Sequence, residues 1–281
     1  MSVAAPSKLP LWRTIGQAYA VWARNFPDLV RTCWLWMLLM APVLAILRWW
    51  QEHADIMQAA ARTGQPFVAS NPLLTMVMGI VGLVVMLPAL ASVAVAWHRL
   101  LLRDEHPGHG VYLRLDRIVA GYAIRAFWIG AITLAPSYVS KMTFYIKLSA
   151  SIAASPDVVA AFAATRATAI SMFALASLGS VIALLIVARL SLALPGIALG
   201  RDGVTLGSAW RVSKRNTWRM YWAHFFCILP WVAISEGASF VQSRATVTLV
   251  RPVMGLLWIP IGMISVGMLS LAYRHFFERR T

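Results

Sequence analysis

From Leu73 to Trp97 the chain runs through twenty-five residues without one charged side chain. Crossing the hydrocarbon core of a bilayer takes about 20 apolar residues, so this stretch alone points to an integral membrane protein. Runs of similar character give six expected spans, at about 30–47, 73–97, 122–140, 169–190, 222–240 and 252–273. The whole chain is 60% hydrophobic and 12% charged, whereas soluble domains average about half and about a quarter. The expected fold is all-α and polytopic. Six transmembrane helices form three hairpins, each preceded by a cytoplasmic interfacial amphipathic helix, in one membrane domain covering residues 1–281.

A net charge of +15 raises nucleic acid as a partner, but the cations flank apolar runs and no nucleic-acid recognition motif accompanies them. Nucleic-acid binding is therefore set aside. Six spans divide the Lys and Arg residues into seventeen on the face carrying both termini and seven on the other, with Arg125 apart. Cytoplasmic loops carry the excess of cations, so both termini are expected in the cytoplasm. The first thirty-one residues hold Lys8, Arg13, Arg24 and Arg31, interrupted by Pro10 and Pro27. They lack the pattern of a cleaved leader. Cys33 and Cys227 are expected to be free, buried thiols.

Leu11, Ile15, Tyr19, Trp22 and Phe26 recur at helical spacing opposite Arg13, Gln17 and Arg24. An amphipathic helix in the headgroup region follows, within an N-terminal segment 1–29. Residues 14–25 align without a gap on residues 205–216, with six identities: Thr14/Thr205, Gly16/Gly207, Ala18/Ala209, Val21/Val212, Arg24/Arg215 and Asn25/Asn216. The alignment reads as one repeated unit, in which a threonine N-caps a short helix and an asparagine ends it. The second copy is expected over 204–218. A third short helix is expected from Val111, with Arg114, Arg117, Gly121 and Arg125 along one stripe. Ser140 to Thr168 forms the longest return segment, partly helical. Pro88 is expected to kink its span, and Ala126/Gly130 and Gly179/Ala183 to mark close helix approaches.

Ala193-Leu194-Pro195, followed by Gly200, Leu206, Ala209-Trp210 and Asn216-Thr217-Trp218, resembles a pattern in uncharacterised bacterial multi-pass inner-membrane proteins. It is similar, too, to the membrane domain of some glycerophosphodiester phosphodiesterases. The resemblance covers residues 185 to 225 and implies a six-helix membrane domain in a bacterial inner membrane. The catalytic domain of those phosphodiesterases has no counterpart here, so their hydrolase activity is not implied.

Catalytic motifs are missing from the sequence: it shows no serine-hydrolase signature, phosphate-binding glycine loop or paired carboxylates, and no enzyme is expected. His98, His224 and His275 fall near the same ends of their spans and raise haem or metal ligation, but neither paired spacing nor a carboxylate cluster supports it. No metal or cofactor is assigned. Asp104-Glu105-His106 reads as a charged turn. Arg125, Arg189 and Glu236 are the candidate intramembrane polar residues. Arg13, Arg24, Arg114, Arg117, Arg211, Lys214, Arg215 and Arg219 form a candidate cytoplasmic ring for anionic phospholipid or a protein partner, with Trp12, Trp22, Trp210 and Trp218 at headgroup depth. The expected role is structural, accessory or lipid-interacting. The competing reading is a small transporter or permease subunit, with a cavity at helices broken by Pro88, Pro195, Pro230 and Pro260; a weaker third is a lipid-headgroup enzyme.

Overall fold

The computed structural model describes residues 8–42, 46, 72–108, 112–154, 158–240 and 244–278, and these are all helical apart from turns and connections. In chain order they give α1 (Leu11–Arg24), α2 (26–42), α3 (Pro72–Arg103), α4 (Arg117–Ala154) and α5 (Val158–Leu190). A 3₁₀ turn (Ser191–Ala193) leads into α6 (Leu194–Ala198), followed by α7 (Leu206–Val212), α8 (Thr217–Phe240), α9 (Arg244–Tyr273) and a π turn (Arg274–Glu278). Among the described residues four segments are long and apolar enough to cross a membrane: Ile80–Arg103, Arg117–Pro136, Ile170–Ala198 and Leu257–Glu278. They match four of the six expected spans. The other two, 30–47 and 222–240, coincide with α2 and α8, neither of which meets that measure over its described residues.

The long helices carry apolar side chains outward. On α2 these are Val30, Trp34 and Leu38, spaced one turn apart; on α5 they include Phe173 and Leu178, and on α8 Phe225, Leu229 and Val232. A soluble fold leaves no such continuous apolar face to water, whereas a bilayer accepts it. Burial is instead concentrated at one end of the bundle. One core cluster joins α1 to the end of α5, the turn after it, α8 and the end of α9, through Ile15, Leu192, Met220 and Met268. A second packs α2 on α3 and α9 through Trp36, Val93 and Ile259, and a third packs α3, α4 and α6 through Val95, Tyr122 and Leu194.

Several expectations change at this level. The aromatic side of α1 does not lie against headgroups: Ile15 and Ala18 are buried, and Tyr19 and Trp22 donate hydrogen bonds into the bundle. Of its aromatic residues Trp12 remains exposed, as does Phe26 at the start of α2. Among the described residues no helix stands between α3 and α4; residues 112–115 are not helical, and Asp116 starts α4, its side chain accepting from the Val119 N–H at 2.9 Å. The return segment from Ser140, expected to be partly helical, is helical throughout its described residues, because α4 continues to Ala154 and α5 begins at Val158. Pro136 lies inside α4 beside Pro88 in α3 and Pro230 in α8 as a further proline in a long helix. It meets Gly179, where an added Cβ would approach the Pro136 Cβ to 2.9 Å, so Gly179 does mark a close approach. At Gly130 nothing lies within 4 Å of such a Cβ, so that half of the other small pair makes no tight contact.

The stretch from Pro195 to Tyr221, which contains the second copy of the repeat, resolves into distinct parts. α6 ends in a Schellman motif, with Gly200 at φ +69°, its N–H on the Ile197 carbonyl at 2.9 Å and the Arg201 N–H on the Gly196 carbonyl at 3.0 Å. Only glycine adopts this left-handed backbone without strain. The turn folds Val204 back onto Gly196, where a Cβ would sit 2.6 Å from the valine side chain. Thr205 then caps α7 with a reciprocal pair: its hydroxyl accepts from the Ser208 N–H, and the Ser208 hydroxyl accepts from the Thr205 N–H. Thr14, its partner in the repeat, is no cap. α1 starts one turn earlier at Leu11, and the Thr14 hydroxyl donates to the Pro10 carbonyl at 2.9 Å.

Replacing Gly196 with alanine forces the stiff Val204 side chain away and is expected to destabilise the protein by about 1–3 kcal/mol, the range for overpacking. The check is a lowered thermal midpoint in detergent, recovered in part by the double variant Gly196→Ala/Val204→Ala.

A candidate anionic-lipid face at the basic end of the bundle

The packed end is where the cations collect, and several of them are spent on backbone carbonyls. Leu9, fully buried, is held on both sides: its N–H donates to the Asn216 side-chain oxygen at 2.8 Å, and its carbonyl accepts from Arg219 at 2.6 Å. Arg99 donates to the Ala198 carbonyl at 3.0 Å and Arg103 to the Leu199 carbonyl at 2.7 Å, closing the end of α6. Both also pair with Glu105. Arg274 reaches the Leu101 carbonyl of α3 at 3.0 Å. Helix ends leave carbonyls without partners, and a guanidinium with five donors satisfies them where water is scarce. Arg201 joins the set differently, contacting the Tyr273 hydroxyl and Glu278.

Arg189 is buried beneath α7. Its guanidinium donates to the Trp210 carbonyl and, at 3.2 Å, to the Ser213 hydroxyl, and lies 3.4 Å from the centre of the Trp210 ring. It therefore fixes α7 onto the end of α5. Arg125 is exposed on α4, donating to the Gly121 carbonyl at 3.0 Å. The side chain of Glu236 lies outside the described residues. Neither of the two main clefts of the described residues is lined by Arg125 or Arg189.

His98 is sealed among three helices. Its ring nitrogens lie 2.7 Å from the Ser270 hydroxyl of α9 and 3.2 Å from the Tyr122 hydroxyl of α4, with all three residues buried. The histidine is thereby occupied as a polar bolt between α3, α4 and α9. Among the described residues no group of three His, Cys, Asp or Glu side chains is placed to hold a metal ion. His106, in the turn after α3, contacts Asp28 at 3.0 Å and Asp104 at 3.4 Å, tying that turn to α2. Cys33 and Cys227 are free and buried.

Of the eight ring residues proposed from sequence, Arg13, Arg24, Arg117, Arg211, Lys214 and Arg215 are exposed at this end. Arg219 is taken up by Leu9, and Arg114 pairs with Asp116 at 2.6 Å. Among the tryptophans, Trp12, Trp210, Trp218 and Trp222 are exposed, while Trp22 turns inward and donates to the Pro260 carbonyl at 2.7 Å. Sequence reading missed Tyr19, whose hydroxyl donates at 2.7 Å to the carbonyl of Phe226. That carbonyl belongs to the residue four before Pro230, and a proline has no N–H to return to it. The spacing from Phe226 to Pro230 was the available signal, but nothing in the sequence joins it to Tyr19.

Comparison with known protein families, curated proteins and solved structures finds no match.

Two outcomes follow. Burial pushes the Asp116 carboxyl up, but the hydrogen bond from Arg114, the Val119 N–H and the charge of Arg114 outweigh it and leave the carboxyl below its ordinary value of 3.8. Its contribution to stability is present above that value and is lost as pH falls through the lower folded value. Thermal midpoints measured from about pH 6 to about pH 3 should fall further for the wild type than for Asp116→Asn. Tyr19→Phe leaves the Phe226 carbonyl without its donor and is expected to cost about 1–3 kcal/mol, read as a lower thermal midpoint than that of an exposed control, Trp12→Phe.

Proposed function

We propose that the chain is a six-span inner-membrane protein of bacterial type whose basic end lies in the cytoplasm and holds anionic phospholipid, in a structural or accessory role without catalysis. The observation that carries this reading is the division of labour among the cations. Arg99, Arg103, Arg189, Arg219 and Arg274 satisfy backbone carbonyls. Arg13, Arg24, Arg117, Arg211, Lys214 and Arg215 are left outward at the same end as exposed tryptophans. Each cation near an anionic leaflet is attracted by about 1 kcal/mol, and tryptophan favours the headgroup level.

Support for the two further spans comes from α2 and α8, whose outward apolar stripes continue those of the four long segments. The cation asymmetry supports the cytoplasmic placement. The resemblance to membrane domains without their catalytic partner agrees with a non-enzymatic role. The transporter reading has less support, since Arg189 is committed to α7 and Arg125 is exposed.

Reporters of membrane sidedness fused after Ser155 and after Gly203 should give opposite signals, outside and cytoplasmic. Equal signals end the six-span reading. Replacing Arg211, Lys214 and Arg215 together by glutamine should weaken binding of phosphatidylglycerol relative to phosphatidylcholine in nanodiscs, and unchanged preference removes the lipid role.

A further inference from the structure

A cleft of about 320 Å³ lies between α1 and the end of α9. Its walls combine two kinds of surface. Arg13 and Gln17 from α1, and Arg274 and His275 from the π turn, contribute polar and basic groups; Val21 and Leu271 contribute apolar ones. Among the described residues no carboxylate lines it, although Glu278 stands 3.7 Å from the Arg274 Nε outside the lining. The volume falls at the lower end of the range of about 300–1,000 Å³ common to small-ligand sites.

The local structure explains why the groups converge. Ile15 and Ala18 dock α1 on the core, which turns Arg13 and Gln17 to the opposite, exposed side. Beyond Tyr273 the α-helix gives way to a π turn, a wider coil found often at functional sites. The change of pitch occurs at the two residues, Arg274 and His275, that form the far wall. Arg274 is held in place by the Leu101 carbonyl, and His275 packs edge-on against Phe276. The cationic wall is thus partly preorganised, while Arg13 remains outward on the near side.

We propose that this cleft binds a phosphate ester, with the phosphate between Arg13 and Arg274, hydrogen bonds from Gln17 and His275, and its apolar portion along Val21 and Leu271. The shared chemistry is the phosphate; a phospholipid headgroup and a free phosphate ester are its two sources. The proposal rests on the anionic-lipid reading above and narrows it to one site. Trp12, next to Arg13 in sequence and 68% exposed, gives the same helix an aromatic side chain of the kind that settles among headgroups, which favours the lipid.

The test compares the wild type, Arg13→Gln, the cleft-filling Ala20→Phe and the distant triple variant Arg211→Gln/Lys214→Gln/Arg215→Gln. Each is assayed in detergent for binding of short-chain phosphatidylglycerol, with glycerol 3-phosphate and inorganic phosphate as competitors. Arg13 and Ala20 are exposed, so thermal midpoints near that of the wild type verify folding. Saturable binding of one lipid per chain is expected, weakened about fivefold by Arg13→Gln, the factor that about 1 kcal/mol per cation represents, and more by Ala20→Phe. Weak competition by the soluble phosphates identifies the lipid as ligand, and complete competition identifies a free phosphate ester. If only the triple variant loses binding, the cleft proposal is overturned and the broader lipid reading stands. If no variant changes binding, or none is seen, both fall.

Discussion

A backbone carbonyl with no partner is costly wherever water is excluded, and the arrangement of the packed end follows from satisfying those carbonyls. The chain places several helix ends close together there: those of α3, α6 and α7, together with the start of α1. The three helix ends bring carbonyls that their own helices do not use, and Leu9, just before α1, brings one from outside any helix. Arginine answers them, at Leu9, Leu101, Ala198, Leu199 and Trp210, while within the helices Tyr19 answers the Phe226 carbonyl freed by Pro230 and Trp22 bonds the Pro260 carbonyl. Because donor and acceptor come from different elements in these contacts, satisfying the backbone also assembles the bundle. Arg219 and Asn216 on one segment, for example, fix Leu9 more than two hundred residues away.

This constraint also sorts the outer surface from the inner one. In a bilayer an apolar side chain gains little by packing on another helix, so association rests on close fit and polar contacts. The structure shows both devices. Gly179 meets Pro136 where α4 and α5 approach, and Ser140 donates to the Met172 carbonyl at 2.9 Å in the same hairpin. His98, Ser270 and Tyr122 link three helices just inside the basic end. Phe173, Leu178 and their outward neighbours are left to the apolar surroundings. The cations not engaged by carbonyls are then available at the rim, where α1 and the π turn leave a cleft between them.

The legible parts of the sequence were those governed by local spacing. The helical class, four of the expected spans and the capping role of Thr205 were all read from periodicity and cap chemistry. The repeat misled where identical residues met different surroundings. Thr14 and Thr205 align, but Pro10 lets α1 begin a turn earlier, so one threonine sits inside its helix and the other starts its own. Asn25 bonds the Val21 carbonyl of its own helix at 2.8 Å, while Asn216 crosses to Leu9. The candidate site was half legible: the concentration of cations was plain, but their sorting into carbonyl-binding and outward groups was not. Arg13 and Arg219 look alike as residues beside apolar runs, yet only the latter meets a buried backbone oxygen.

By itself the sequence determined that this chain is helical, that its long segments are apolar enough for a membrane, and that positive charge gathers in the segments between them. These are properties of composition and period, summed over neighbours along the chain. The tertiary structure alone decided that α1 turns its aromatic side into the bundle, that Arg189 serves α7 rather than a pore, and that the end of α9 faces Arg13 across a cleft. Each depends on a contact between segments distant in sequence. Charge and period set what a residue is able to bond, and only the packing of helices sets which partner comes within reach.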